Sequence, residues 1–245
     1  MDKFKLKSGK PIEINGVGLL HQPLIMEIEE LGFDNYGQLI QPFLIPFEEF
    51  TPERLIGKIK SFDLFFLWMN QEDELTQKSG IESFNNLINA CAFFFREEIQ
   101  YNLDEQAILV GDNGIINRDN FDEIKNIILT INLIDISNRP KFQKKLSPKQ
   151  QSIHDKLAKH RQQHQDDKIN IEDIIDFVMY GGDGFIPYSV VETMTYCQLY
   201  TAFNIINIKN NWKEYLLYKT SEKYDVQEDM KNILSNIKNY NKNIK

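Results

Sequence analysis

Between Arg139 and Lys168 the chain carries Lys and Arg well in excess of its three Asp, and its large apolar residues thin out to Phe142, Leu146, Ile153 and Leu157. A stretch of that length and polarity cannot bury enough apolar surface to build a core of its own. It therefore divides the chain, and any core must come from the residues on either side. Ser147-Pro148-Lys149-Gln150 gives the stretch a helix start: a capping serine, a proline at the first helical position and a glutamine at the boxed position. The expected organisation is an N-terminal lobe over 1–138, a basic, solvated connector helix over 139–168 and a C-terminal unit over 169–245.

The flanking parts have the material for a core. Of 245 residues, 42% are hydrophobic and 26% charged, the balance of a globular chain. The net charge of −8 argues against nucleic acid as the main partner, because phosphate binding needs a basic surface. The connector lacks the interleaved aromatics of a stacking platform, so an acidic protein or peptide is its more natural contact. The most apolar run, Phe62 to Met69, contains Asp63 and is too short to span a bilayer. The opening Met1-Asp2-Lys3-Phe4-Lys5 lacks the apolar core of a signal peptide. Cys91 and Cys197 are far apart, each within an apolar helical pattern, which suits buried thiols in a reducing compartment better than a disulfide.

Periodicity supplies the elements. Phe4-Lys5-Leu6-Lys7 and Pro11-Ile12-Glu13-Ile14 alternate around Ser8-Gly9-Lys10, which predicts a first hairpin that ends at Asn15-Gly16-Val17-Gly18. Pro23 is placed to open a helix that runs to Gly32, and a second helix from Phe33 meets Pro42 as a kink or stop. Thr51-Pro52-Glu53 predicts a helix through Met69, Gln71 to Lys78 a polar loop, and Ser79 to Gln100 a long helix with Phe84, Leu87, Ile88, Cys91, Phe94 and Phe95 inward. Ala107–Val110, the turn Gly111-Asp112-Asn113-Gly114 and Ile115-Ile116 form a second hairpin. Asn120 and Glu123 make a capping box on a helix whose inner stripe is Phe121, Ile124, Ile127, Ile128 and Ile131. Asn170 caps the next helix, which Gly181-Gly182-Asp183-Gly184 ends. Ser189–Glu192 and Thr195–Gln198 are further capping boxes, the second opening a long helix, and Asp225 opens a last one. The fold class expected is mostly α (α+β): a helical N-terminal lobe with two small β-hairpins, the basic connector helix and a C-terminal helical unit.

No constellation points to catalysis. His154, His160 and His164 lie in the polar connector, and His21 has no nucleophile beside it in sequence. His160 and His164 share a helix face, yet Arg161, Gln162 and Gln163 replace the H-E-x-x-H pattern of a zinc enzyme. The glycine clusters at 16–18, 111–114 and 181–184 lack the lysine, hydroxyl or strand-to-helix context of a phosphate loop. The paired carboxylates (Glu29-Glu30, Glu48-Glu49, Glu97-Glu98, Asp166-Asp167) are sequence neighbours, and adjacent helical side chains diverge by about 100°. The expectation is no enzyme, and no catalytic, cofactor or metal residue.

The aromatic content is more informative. Seventeen Phe and ten Tyr are many for a helical chain, and Tyr180, Phe185, Tyr188, Tyr196, Tyr200 and Phe203 gather near the C-terminal cap loops. Tyrosine, apolar on one side and polar at its tip, suits protein interfaces. Tyr188, Tyr196, Tyr200, Phe203 and Trp212 are the candidate partner-facing residues.

Several segments together resemble a known family. Lys7-Ser8-Gly9-Lys10-Pro11-Ile12-Glu13-Ile14, His21-Gln22-Pro23-Leu24 and Glu29-Glu30-Leu31-Gly32-Phe33-Asp34-Asn35-Tyr36 are similar to the start of tail assembly chaperones from phages and prophages of low-GC Gram-positive bacteria. Ile116-Asn117-Arg118-Asp119-Asn120-Phe121-Asp122-Glu123-Ile124 resembles that family's hairpin-to-helix junction. Ile174-Ile175-Asp176-Phe177 and Val191-Glu192-Thr193-Met194-Thr195-Tyr196-Cys197-Gln198-Leu199-Tyr200 resemble its C-terminal pattern. The resemblance implies a non-enzymatic protein of the host cytoplasm that keeps the tape-measure protein soluble during tail assembly. Its partners would be the tape-measure protein or other tail proteins, with a homo-oligomer also compatible, and neither nucleic acid nor membrane. The alternative is a virion structural component: a neck, baseplate or tail-completion protein.

Overall fold

Two glutamines decide how the chain begins. The computed structural model describes residues 3–46, 51, 55, 57–70, 73–135, 169–221, 236–238 and 240. Lys3–Ser8 is a helix, α1, where alternation predicted a strand. The carbonyls at its end are taken up from a distance: Gln22 Nε2 donates to Lys5 O (3.0 Å) and Lys10 O (2.9 Å), and Gln198 Nε2 donates to Lys7 O (2.9 Å). Those orphan carbonyls need partners in any helix, and tertiary donors here override the local pattern. The first hairpin is consequently displaced. β1 (Ile12–Ile14) pairs antiparallel with β2 (Gly18–Leu20) across the turn at Asn15–Val17, with Gly16 at a φ of +72° that glycine adopts without strain.

α2 (Ile25–Leu31) begins two residues after Pro23, because Leu24 is extended and bridges Thr195. Gly32 ends α2 and leads into α3 (Phe33–Ile40), followed by a 3₁₀ turn over Gln41–Leu44 that holds Pro42, the stop expected there. The expected helix from Thr51 to Met69 is interrupted: Gly57 has a φ of +79°, Lys58 N donates to Leu55 O in a turn, and among the described residues of this stretch Asp63–Met69 is the α-helix, α4. The carboxylate of Asp63 accepts from Lys60 N (2.8 Å) and is paired with Arg118 at 3.3 Å. α5 (Glu74–Phe95) starts within the expected loop and stops five residues early, where Arg96 takes a φ of 57°. That stop leaves room for β3 (Ile99–Asn102), which pairs with β4 (Ala107–Val110), itself paired with β5 (Gly114–Ile116). The expected second hairpin is present, enlarged by one strand.

α6 (Phe121–Ile131) buries all five residues of its expected stripe. Its capping differs: Asn120 Oδ1 accepts from Asn117 N (2.9 Å) and its Nδ2 donates to Ile115 O (2.7 Å), so the side chain closes the strand-to-helix junction rather than the helix. α7 (Ile171–Tyr180) has the cap expected of Asn170, which also forms a capping box with Asp173, and the 25-residue α9 (Tyr196–Thr220) carries the capping box expected of Thr195–Gln198. Between them α8 (Tyr188–Val191) is capped by Pro187, not by Ser189. The connector helix over 139–168 and the helix start at Asp225 lie outside the described residues.

The chain is mostly α with two small antiparallel sheets. One apolar core runs through both flanking parts: Phe43, Phe62, Phe65, Phe94 and Phe121 from the first and Ile174, Val178, Val191, Cys197 and Leu199 from the second. Backbone bonds also cross between them, from Ile25 N to Met194 O (2.9 Å) and from Tyr196 N to Pro23 O (3.2 Å). Within the core the Tyr36 hydroxyl donates to Asn132 Oδ1, and Asn132 Nδ2 donates to Ile128 O (2.8 Å), so this buried polar pair is satisfied.

Candidate binding surface

α9 begins in the core and leaves it. Cys197 and Leu199 are buried, residues 201–210 are half-buried on every side, and most of 211–220 is exposed. Its sequence is apolar in patches all round rather than on one stripe, so no single neighbour can cover it.

The five candidate aromatics do not form one patch. Tyr196, Tyr200 and Phe203 follow at i, i+4 and i+7 and share a face. Trp212 lies about 160° further round by helical geometry. Tyr188 is on α8, its hydroxyl donating to the carboxylate of Glu29, which pushes its ionisation up to about 12. Tyr196 stacks on Tyr200 with centroids 4.6 Å apart and tilts against Tyr36 at 6.3 Å, while Phe203 meets Phe177 edge-on at 5.1 Å. Tyr188, Tyr196, Tyr200 and Phe203 are half-buried and packed on the core, and Trp212 pairs with Tyr215 at 5.4 Å. Burial, and then a hydrogen bond to Tyr200, holds the Tyr196 hydroxyl firmly protonated.

The freest aromatics are others. Tyr180 is 66% exposed and Phe185 61%, their rings 5.4 Å apart at 31°. Tyr180 is the last residue of α7 and Phe185 stands on the loop after it, which is held in place from several directions. Ile186 N donates to Met179 O (3.0 Å) and Asn210 Nδ2 to Gly181 O (2.9 Å). Asp183 sits between two lysines of α9, Lys209 at 2.7 Å and Lys213. Further along α9, Leu217 is 70% exposed, with Leu216 and Tyr218 exposed beside it. Tyr180 and Phe185 belong to the aromatic gathering seen in the sequence. The loop between them carries the Asp183 clamp, whose partners are 26 and 30 residues away.

The clamp has a measurable signature. Hydrogen bonds from Lys209 and then Lys213 hold the Asp183 carboxyl at about 2, below its ordinary 3.8. A depressed folded-state value means the clamp's contribution is present above about pH 4 and is lost as the pH falls towards 2. In a carbon-13 NMR titration the Asp183 carboxyl should show a midpoint near 2. In a Lys209→Gln, Lys213→Gln variant that midpoint should return to the ordinary range.

Both cysteines are buried, and desolvation pushes the Cys91 thiol up to about 12 and raises that of Cys197. Burial, and then the Arg96 guanidinium, favour neutral His21. Among the described residues no three His, Cys, Asp or Glu side chains could jointly hold a metal. His154, His160 and His164 lie outside those residues. A cavity lined by Pro42, Ile45, Ser61, Leu64, Phe65, Phe121 and Lys125 holds about 10 Å³, room for a single water. No described helix is long and apolar enough to cross a membrane. Compared with protein-family models, with curated proteins and with solved structures, the chain matches none.

Proposed function

We propose that this chain is a non-enzymatic phage tail assembly protein that acts in the host cytoplasm, binding the tape-measure protein and keeping it soluble until the tail tube forms around it. The resemblance of residues 7–14, 21–24, 29–36, 116–124, 174–177 and 191–200 to tail assembly chaperones supports this reading. The observation that carries it furthest is the exposure of Tyr180 and Phe185, at and just after the end of α7, and of Leu216, Leu217 and Tyr218 on the last part of α9. Aromatic and aliphatic side chains on a rigid support are what an amphipathic helix needs as a landing surface. The net charge of −8 keeps such a protein soluble while those groups stay exposed.

The test is co-expression with the tape-measure protein of the same gene cluster, followed by affinity capture. The expected result is a tape-measure protein that becomes soluble and co-purifies only when this chain is present. The triple variant Tyr180→Ala, Phe185→Ala, Leu217→Glu should reduce capture by about tenfold, the loss of an anchor cluster. Because all three side chains are exposed, its melting temperature should stay close to that of the parent. A tape-measure protein indifferent to this chain, with the chain itself found in purified virions by mass spectrometry, would replace the chaperone reading by that of a structural component.

A further inference from the structure

The two edges of the three-stranded sheet are treated differently. Gly111 N donates to Glu98 O (2.9 Å), which fixes the alternation along β3: Gln100 and Asn102 bond to β4, and the N–H and C=O groups of Ile99 and Tyr101 point away from it. On the opposite edge the corresponding outward group is Ile115 N, and it is closed by Gly16 O at 3.0 Å. No described residue bonds the outward groups of Ile99 and Tyr101. Beside them Tyr101 is 53% exposed, its ring edge-on to Phe84 at 5.4 Å, and Leu103 is exposed next to it.

An open edge of this kind is a template for a further strand, and proteins usually blunt it with lysine, proline or a bulge. β3 has none of these. From 97 to 117 the chain carries Glu97, Glu98, Asp104, Glu105 and Asp112 and no lysine or arginine. The arginines on either side are engaged elsewhere, Arg96 with Glu27 at 2.5 Å and Arg118 with Asp63 at 3.3 Å. Pairing β3 with a second copy of itself would bring the acidic pair at one end against the acidic pair at the other, which is repulsive. The same charges favour a partner of opposite sign. We infer that the β3 edge accepts an extended peptide segment of another protein, with alternating apolar residues beside Tyr101 and basic residues at both ends. This goes beyond the proposed function, is independent of it, and uses a different surface and a different partner conformation.

The probe is a fluorescein-labelled peptide, KKVTVTKK, added to the full chain at low salt. The free protein should exchange the Ile99 and Tyr101 amide protons rapidly while those of Gln100 and Asn102 are protected, and the peptide should slow the first pair by about tenfold or more. A peptide methylated on the backbone nitrogens that would pair, or one with glutamate in place of lysine, should bind about tenfold more weakly. Glu98→Lys with Asp104→Lys should produce a similar loss for the basic peptide, and added salt should weaken its binding. Tyr101→Pro removes an outward N–H that the sheet does not use, a change edge strands tolerate, and should abolish binding. The methylated peptide keeps the test valid should that variant fail to fold. Ile99 and Tyr101 amides already protected in the free monomer, protection arising from concentration-dependent self-association, or equal binding of the methylated and parent peptides would each overturn the inference.

Discussion

Replacing Phe121 by alanine is expected to cost about 3–5 kcal/mol, the range for deleting a fully buried aromatic ring. Phe121 is the first residue of α6 and is buried. Its ring meets Phe43 at 6.0 Å, Phe62 at 5.1 Å and Phe65 at 5.9 Å, so it joins the 3₁₀ turn, the approach to α4 and α4 itself to the helix that follows the sheet. Three rings would lose a partner at once, and their backbones are fixed by different elements that cannot all close the gap. A domain with about 5–15 kcal/mol in hand would be left marginal. Urea unfolding should show the midpoint falling with an unchanged slope. A loss below about 1 kcal/mol, the scale of a surface substitution, would mean that the cluster repacks freely.

Gly114→Ala is expected to cost about 3 kcal/mol, at the upper end of overpacking effects. A Cβ at this position would overlap the carbonyl oxygen of Val17 and stand 2.6 Å from that of Val110. Both obstacles are backbone, so neither can rotate away. Relief requires the β1–β2 turn to lift off β5, which breaks the bond from Ile115 N to Gly16 O. Faster exchange of the Ile115 amide should therefore accompany the lost stability. Gly16→Ala in the same turn makes a useful contrast. There a Cβ meets nothing within 4 Å, and only the φ of +72° is at issue. The cost there should be about 1 kcal/mol, the strain of a left-handed residue. A Gly114 variant as mild as the Gly16 variant would show that the two sheets are not in contact as described.

The elements that could be read from the sequence are those whose cause is local. Asn170 with Asp173 and Thr195 with Gln198 are three residues apart, and both boxes form. The stripe from Phe121 to Ile131 repeats at helical spacing, and all of it is buried. The misreadings have distant causes. Phe4 to Lys7 alternates as a strand would, and Gln22 and Gln198 bond the carbonyls of the helix from 17 and 191 residues away. Ile99-Gln100-Tyr101-Asn102 carries little strand signal, and β4 recruits it. Gly57 could be seen, but not that it would adopt a φ incompatible with continuing the helix from Thr51. The candidate surface divides the same way. Spacing puts Tyr196, Tyr200 and Phe203 on one face, while only packing against Tyr36 and Phe177 reveals how little of that face is free. Between Tyr180 and Phe185 a salt-bridged clamp holds the loop, and no local pattern announces a clamp.

The bonds that Gln198 and Tyr196 make to Lys7 and Pro23 also set an order of events. During synthesis, Lys7 leaves the ribosome with its carbonyl unmatched, and Leu24 emerges with no strand to bridge. Their partners follow more than 170 residues later. Contacts so distant in sequence close slowly and leave apolar surface uncovered while they wait. The segment from α1 to Leu24 is therefore sealed late, and it needs the start of α9 to seal it.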